Sequence, residues 1–205
     1  MKRLAIDTAT EACSVALFQH GVLLAAAHEV VGRGHAERLV AMIADLPDRG
    51  RADQILVDCG PGSFTGVRVG LAAARALGFA WQVPVHGYSS LALIAAAAFD
   101  EAPDLSALAV SIVGGHGEYF VQRFQSRPVH PMTPLASLAP EAAARLCGTD
   151  AVVGSGAGTM RAAGASGPAL AIGPDARLTR LLPDELAALP PAPIYGRAPD
   201  AKPSA

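Results

Sequence analysis

Apolar and polar residues alternate along the opening of the chain, a period of two that predicts strands. Leu4-Ala5-Ile6 closes on a carboxylate at Asp7, residues 13–18 alternate after a turn at 8–11, and residues 22–31 follow the His20-Gly21 turn. Gly32 and Gly34 end this meander. Leu39, Val40, Ile43 and Leu46 then recur at helical spacing and predict a helix over residues 35–46. A polar link at 47–53 leads to an apolar strand at 54–59, a glycine turn, and a helix over 64–81. Residues 84–87 read as a last short strand, and Ser89 or Ser90 as the cap of an alanine-rich helix ending at Phe99. The predicted order is βββαβαβα.

Residues 100–104, with Pro103 among them, break the pattern and mark a boundary between two lobes. Beyond it the pattern starts again with a strand at 105–113, a turn at 114–117 and an alternating strand at 119–124. An extended piece at 128–134, a short helix at 140–146 and a buried strand at 151–154 complete a smaller second lobe. From Pro190 onward prolines are dense and no apolar period remains, so residues 190–205 are expected to be extended or disordered. The lobes are expected over residues 1–102 and 103–189.

The turn before the long helix reads Gly60-Pro61-Gly62-Ser63. Pro61 fixes φ, the flanking glycines permit positive φ, and Ser63 or Thr65 is placed to accept a helix N–H. Such a turn is either a tight helix start or an anion seat. No Lys follows the glycines, which excludes a Walker loop, and the spacing differs from the dinucleotide fingerprint. Within the helix, Gly66, Gly70, Ala74 and Gly78 recur every fourth residue and share a face with Val67, Leu77 and Trp81. Small residues so spaced permit close approach, either within the core or by a partner helix. Arg68 and Arg75 lie on the opposite side.

Composition narrows the class. With 205 residues, 51% of them hydrophobic and 17% charged, the chain buries a real core, filled by Ala, Val and Leu because only 5% is aromatic. Sixteen basic residues against eighteen acidic ones give a net charge of -2, too balanced for a broad electrostatic contact with nucleic acid or an acidic membrane. Cys13, Cys59 and Cys147 are widely spaced and suit reduced, buried thiols in a cytoplasmic protein. Asp7 and Glu11 interrupt the apolar start before a signal-peptide core forms, and no run is long enough to span a membrane.

Two strings carry a family resemblance: Leu4-Ala5-Ile6-Asp7-Thr8-Ala9-Thr10-Glu11-Ala12-Cys13-Ser14-Val15-Ala16-Leu17, and Gly60-Pro61-Gly62-Ser63-Phe64-Thr65-Gly66-Val67-Arg68-Val69-Gly70. Together they resemble the bacterial TsaB family over about residues 1–95, with Pro193, Tyr195 and Arg197 similar to that family's tail. The resemblance implies an α/β chain of the actin-like, Hsp70-like ATPase fold (ASKHA, ribonuclease H-like), with two lobes of βββαβα type, the second reduced. It implies a non-catalytic scaffold subunit of the complex that forms N6-threonylcarbamoyladenosine at position 37 of ANN-decoding tRNAs. The implied partners are a TsaD-like catalytic paralogue, a TsaE-like ATPase and, for the chain alone, a second copy, with tRNA reached only through the complex. It also brings an M22 glycoprotease filing. In place of that family's frequent Asp-Ala-Arg turn in the second lobe stands Gly114-Gly115-His116-Gly117, with Glu118 retained.

Three functions compete on the residues. The scaffold reading fits the missing metal pair of the catalytic paralogue: Leu39 stands four residues after His35, which is left as a helix-start or interface residue. A metallopeptidase needs ligands and a base, yet no His-Glu-x-x-His occurs, and His28, His35, His86, His116 and His130 show no ligand spacing. A kinase or ATPase would use Asp7, Thr8 and Thr10 to hold ATP or ADP with Mg, but this hairpin lacks the usual glycine, which makes the site weak or vestigial. The partner surface is expected on the two helices at His35, Leu39, Met42, Gly66, Val67, Gly70, Ala74, Leu77, Gly78 and Trp81.

Overall fold

The computed structural model describes residues 1–196. Strands β1 (Lys2–Asp7), β2 (Ala12–Gln19) and β3 (Val22–Val30) form the antiparallel meander. Helix α1 (His35–Ala44) returns the chain to β4 (Gln54–Asp58), and α2 (Phe64–Trp81) returns it to β5 (Val85–Tyr88). Both strands are parallel to β1, as their helical crossovers require, giving the order β3-β2-β1-β4-β5. Helix α3 (Ser90–Glu101) follows.

The second sheet repeats the order. Strands β6 (Ala107–Val113) and β7 (Tyr119–Gln125) are antiparallel, and β8 (His130–Pro131) and β9 (Ala136–Leu138) both pair with β7. Helix α4 (Pro140–Cys147) leads to β10 (Ala151–Val153), and α5 (Ala157–Ala162) to β11 (Ala169–Leu170), both strands parallel to β6 or its neighbour. The spatial order β11-β10-β6-β7-β8 matches the first sheet step for step, with shorter crossover helices. This duplicated α/β arrangement is the actin-like fold.

Period-two alternation decides which layer each residue joins. In β1 and β4, Leu4, Ile6, Ile55 and Val57 face α1 and α2, and Leu56 faces α3. Helix α3 is apolar all round and buried from Ser90 to Phe99, because it lies between the sheets and contacts Leu108, Val110 and Phe124 of the second one. Helices α4 and α5 cover the far face through Ala143, Cys147 and Met160. All three cysteines are buried thiols, as their spacing predicts. Among the described residues, no helix is long and apolar enough to cross a membrane.

One expectation gains detail and one needs correction. Residues 190–196, expected to be extended or disordered, are extended and packed as a strap: Gly87 and Leu189 exchange backbone hydrogen bonds, and Ile194 N–H donates to the Cys59 carbonyl at 2.8 Å. Arg75 donates to the Pro191 carbonyl at 2.6 Å, and Arg68 to the Tyr195 hydroxyl at 3.0 Å. Arg197 and the rest of the tail lie outside the described residues. The small stripe of α2 also faces inward. A Cβ at Gly66 would overlap the Thr8 carbonyl oxygen, one at Gly70 the Thr8 hydroxyl, and one at Gly78 the Val85 side chain.

Candidate functional site: the floor of the cleft between the sheets

Strands β1 and β4 run side by side and end together, and ligand sites in such folds lie beyond the carboxyl ends of parallel strands. Each strand opens into a turn, residues 8–11 after β1 and 60–63 after β4. The turns are tied directly, because Ser63 N–H donates to the Ala9 carbonyl at 2.7 Å and a Cβ at Gly62 would overlap that oxygen. Gly60 sits at φ 89°, where glycine carries no steric penalty.

The turn's donors point into the protein. Gly60 N–H donates to Asp58 Oδ1 at 2.6 Å, Gly66 N–H to Ser63 Oγ at 3.2 Å, and Val67 N–H to the Ser63 carbonyl at 2.9 Å. Of the two expected caps it is therefore Ser63 that caps α2, and the tight-turn reading of the glycine loop holds over the anion seat at these three donors. Ser63→Ala is expected to cost about 1 kcal/mol, the usual worth of a side-chain cap, read as a melting temperature lower by about 2–4 °C in a chain of this size. At α3 neither serine caps: Ser89 makes no capping bond, and Ser90 turns to Asp58.

Beneath the turns lies a closed polar network. Asp7 accepts from Ala9 N–H at 3.3 Å and from the Tyr88 hydroxyl at 3.1 Å, which also lies 3.1 Å from the Ile6 carbonyl. Ser90 Oγ lies 2.8 and 2.7 Å from the two oxygens of Asp58. Burial, together with the charge of Asp7 beside it, holds the Asp58 carboxyl well above the ordinary carboxylate range. Burial raises Asp7 as well, opposed by its hydrogen bonds to Asp58, Ala9 and Tyr88. Burial and the two carboxylates push the Tyr88 phenol far up.

Above the turns opens a cavity of about 1320 Å³ between the sheets, with Thr10, Ser63 and Arg68 on one side and His116, Phe120 and Ser155 on the other. Arg68 stacks over the Phe64 ring with its guanidinium carbon 3.2 Å from the centroid, and over Tyr195 at 5.8 Å. Of the three residues expected to hold a nucleotide, only Thr10 reaches this space. Asp7 and Thr8 are 1% and 0% exposed, and Thr8 Oγ1 donates to the Gly66 carbonyl at 2.7 Å. Both are therefore struts of the floor and not cavity-lining groups.

His35 is a helix-start residue, buried, with Nε2 2.8 Å from the Thr10 carbonyl and 3.3 Å from the Ala12 carbonyl. Both neighbours only accept, so Nε2 carries a proton and pins the first turn to α1. Leu39, Met42, Gly66, Val67, Gly70, Ala74 and Gly78 are buried in the same helix–sheet layer, with Leu77 and Trp81 half-buried. The outer surface of α1 and α2 belongs to other residues: Ala36, Glu37, Arg38, Val40, Ala41 and Ala44, then Arg68, Ala72, Arg75, Ala76, Phe79 and Ala80. Val40 is 66% exposed and Phe79 80%. Sequence reasoning grouped Val40 with the buried Leu39, Ile43 and Leu46, whereas it is exposed; the alanines were passed over because alanine at an outward position carries no patterning signal.

A family model described as TsaD, tRNA N6-adenosine threonylcarbamoyltransferase, matches residues 27–129. The tRNA threonylcarbamoyladenosine biosynthesis protein TsaB of Escherichia coli is 39% identical over 104 residues, covering 48% of this chain and 45% of that protein. The TsaB of Haemophilus influenzae is 43% identical over 102 residues, covering 47% and 43%. The matches thus span somewhat under half the length of these curated relatives. YeaZ from Pseudomonas aeruginosa superposes with a TM-score of 0.76 at 32% identity, covering 95% of this chain and 99% of that one. A crystal structure of an uncharacterized protein with similarity to peptidase YeaZ from Pseudomonas aeruginosa gives 0.82 at 32% identity, covering 96% and 99%. With the glycine turn, the duplicated sheet order and near-complete structural coverage in agreement, the chain belongs to the TsaB family.

Proposed function

We propose that this chain serves the formation of N6-threonylcarbamoyladenosine at position 37 of ANN-decoding tRNAs, as a non-catalytic subunit that pairs with a TsaD-like catalytic chain. The observation that carries the pairing is the outer face of α1 and α2, where Val40 and Phe79 stand exposed among alanines and a few charged residues, Glu37 and Arg75 nearest them. Large apolar side chains left exposed on two adjoining helices are a candidate association surface. The non-catalytic part rests on Asp7: the strand-end carboxylate that would orient a metal–nucleotide pair is enclosed with Asp58, Tyr88 and Ala9. A TsaE-like ATPase joins the pair, tRNA is reached through the assembly, and a second copy of this chain competes for the same face.

The test is reconstitution with the TsaD-like and TsaE-like proteins of the same organism. Modified tRNA should form with the full set and fall to background when this chain is left out. Undiminished modification without it removes the proposal. A second reading is favoured by the cavity: with Thr10 at its edge, it is a candidate seat for ATP or ADP with Mg. Calorimetry of the lone chain with ATP and Mg²⁺ decides that point, and tight binding would count against the scaffold reading.

A further inference from the structure

We propose that Asp7 and Asp58 share a single proton as a latch that fastens the two turns flooring the cavity, and that loss of this proton at alkaline pH releases them. The geometry begins with register. Ile6 stands opposite Val57 in the parallel pair, so the next residues, Asp7 and Asp58, come side by side at the strand ends. Their parity within the strands matches Leu56, which places both carboxyls on the face that meets α3.

Both side chains are enclosed, and each donor that reaches them is neutral: Ala9 N–H and the Tyr88 hydroxyl on Asp7, Gly60 N–H and the Ser90 hydroxyl on Asp58. Among the described residues no ion pair includes either carboxyl. Two adjacent carboxylates in such surroundings do not both ionise, and one keeps its proton. Burial and the charge of Asp7 beside it raise the Asp58 carboxyl well above its ordinary range, and burial raises Asp7 as well, so the retained proton belongs to the pair.

The other groups around the pair, on its own α3 face and across the sheet on the α1–α2 face, do not supply a cation. Strand β5 brings Tyr88, β2 brings Cys13, with its thiol pushed up to about 11 by burial, and the residue after β4 is Cys59, pushed up to about 12 by burial. From the segment after β11, Asp175 adds a negative charge that is itself occupied by Arg177 and by His28, whose Nδ1 is 3.0 Å away. Helix α2 presents glycine at positions 66 and 70, and His35 of α1 is held by the Thr10 carbonyl.

The latch acts on function-bearing geometry because its acceptors hold the turns. Asp7 grips Ala9, Asp58 grips Gly60, and the Ser63–Ala9 bond joins the turns, with Ala9, Gly62 and Ser63 lining the cavity. Removing the proton sets two charges against each other at the root of both turns. The folded-state affinity for that proton is raised, so its contribution to stability is complete below the unfolded carboxylate range of about pH 4. It falls about tenfold in the folded-to-unfolded ratio for each pH unit above that range, until the folded carboxyl ionises.

Carboxyl-carbon NMR on aspartate-labelled protein, read with amide hydrogen exchange from about pH 5 to pH 10, tests this. One enclosed carboxyl should remain protonated at about pH 7, and its ionisation should coincide with at least a tenfold loss of protection at Ala9, Gly60 and Ser63 beyond the intrinsic pH effect. In Asp58→Asn an amide N–H replaces the shared proton, and protection at Ala9 and Ser63 should persist through the same range. Two ionised carboxyls at about pH 7, or protection that ignores the titration, overturns the proposal. Should Asp58→Asn fail to fold, the NMR of the unsubstituted chain and of Asp7→Asn decides by the same criteria.

Discussion

Gly66→Ala is expected to lower stability by about 3–5 kcal/mol. Overpacking a filled site typically costs ~1–3 kcal/mol, and more where the obstacle is backbone. Here the added Cβ would overlap the Thr8 carbonyl oxygen, so either α2 lifts from the sheet or the turn after β1 shifts. Either movement also strains the bond from Thr8 Oγ1 to the Gly66 carbonyl and the bond from Ser63 N–H to the Ala9 carbonyl. Each is worth about 1 kcal/mol net. Against a total of ~5–15 kcal/mol for a domain, the loss is a large share, and the melting temperature should fall by about 6–20 °C. Gly115→Ala is the control, since nothing lies within 4 Å of its added Cβ and its φ is not in the positive range. If Gly66→Ala melts with that control, the packing of α2 against β1 is wrong.

The stripe shows what the sequence could and could not convey. Glycine or alanine at every fourth position announced close approach, and the approach is real; the neighbour is the chain's own Thr8 and Val85, and not a partner helix. Periodicity carries the spacing of a contact and says nothing about who makes it. The first-lobe strands and helices were legible because each runs long enough to show its period. Strands β9 and β11 and helix α5 have two to six residues, too few for a period to show; the strands are placed by pairing with β7 and β10, and the helix by packing on α4, β11 and β6.

The network under the cleft was half visible. Asp7 stood out as a polar end to an apolar strand, whereas Asp58 looked like the close of another strand. The fact that joins them is a parallel register between segments about fifty residues apart, which no local window contains. The strap was hidden for a similar reason. Proline density left the backbone extended or disordered, and the arginines that fix it, Arg68 and Arg75, lie on α2, far away in sequence.

Val40→Glu combined with Phe79→Glu is expected to abolish pairing with the TsaD-like chain while leaving the monomer folded. Both side chains project into solvent in the lone protein, 66% and 80% exposed, so the substitution removes little buried surface. Stability should change by no more than about 0.5 kcal/mol per site. In a docked helix face the same positions would be dry, and the two carboxylates would lose their hydration without gaining a partner. Truncating an anchor at such a centre alone costs ~2–4 kcal/mol, so the loss for the pair should exceed about a hundredfold in Kd. Self-association should weaken in parallel, because one face cannot serve two partners at once. Met132→Glu is the control on the second sheet, where an exposed apolar side chain lies far from α1 and α2 in the fold. Sedimentation with and without the partner, alongside circular dichroism, reads both quantities. If the doubly substituted chain still pairs as tightly as the control, the outer face of α1 and α2 is not the docking surface, and the pairing must use another side of the molecule.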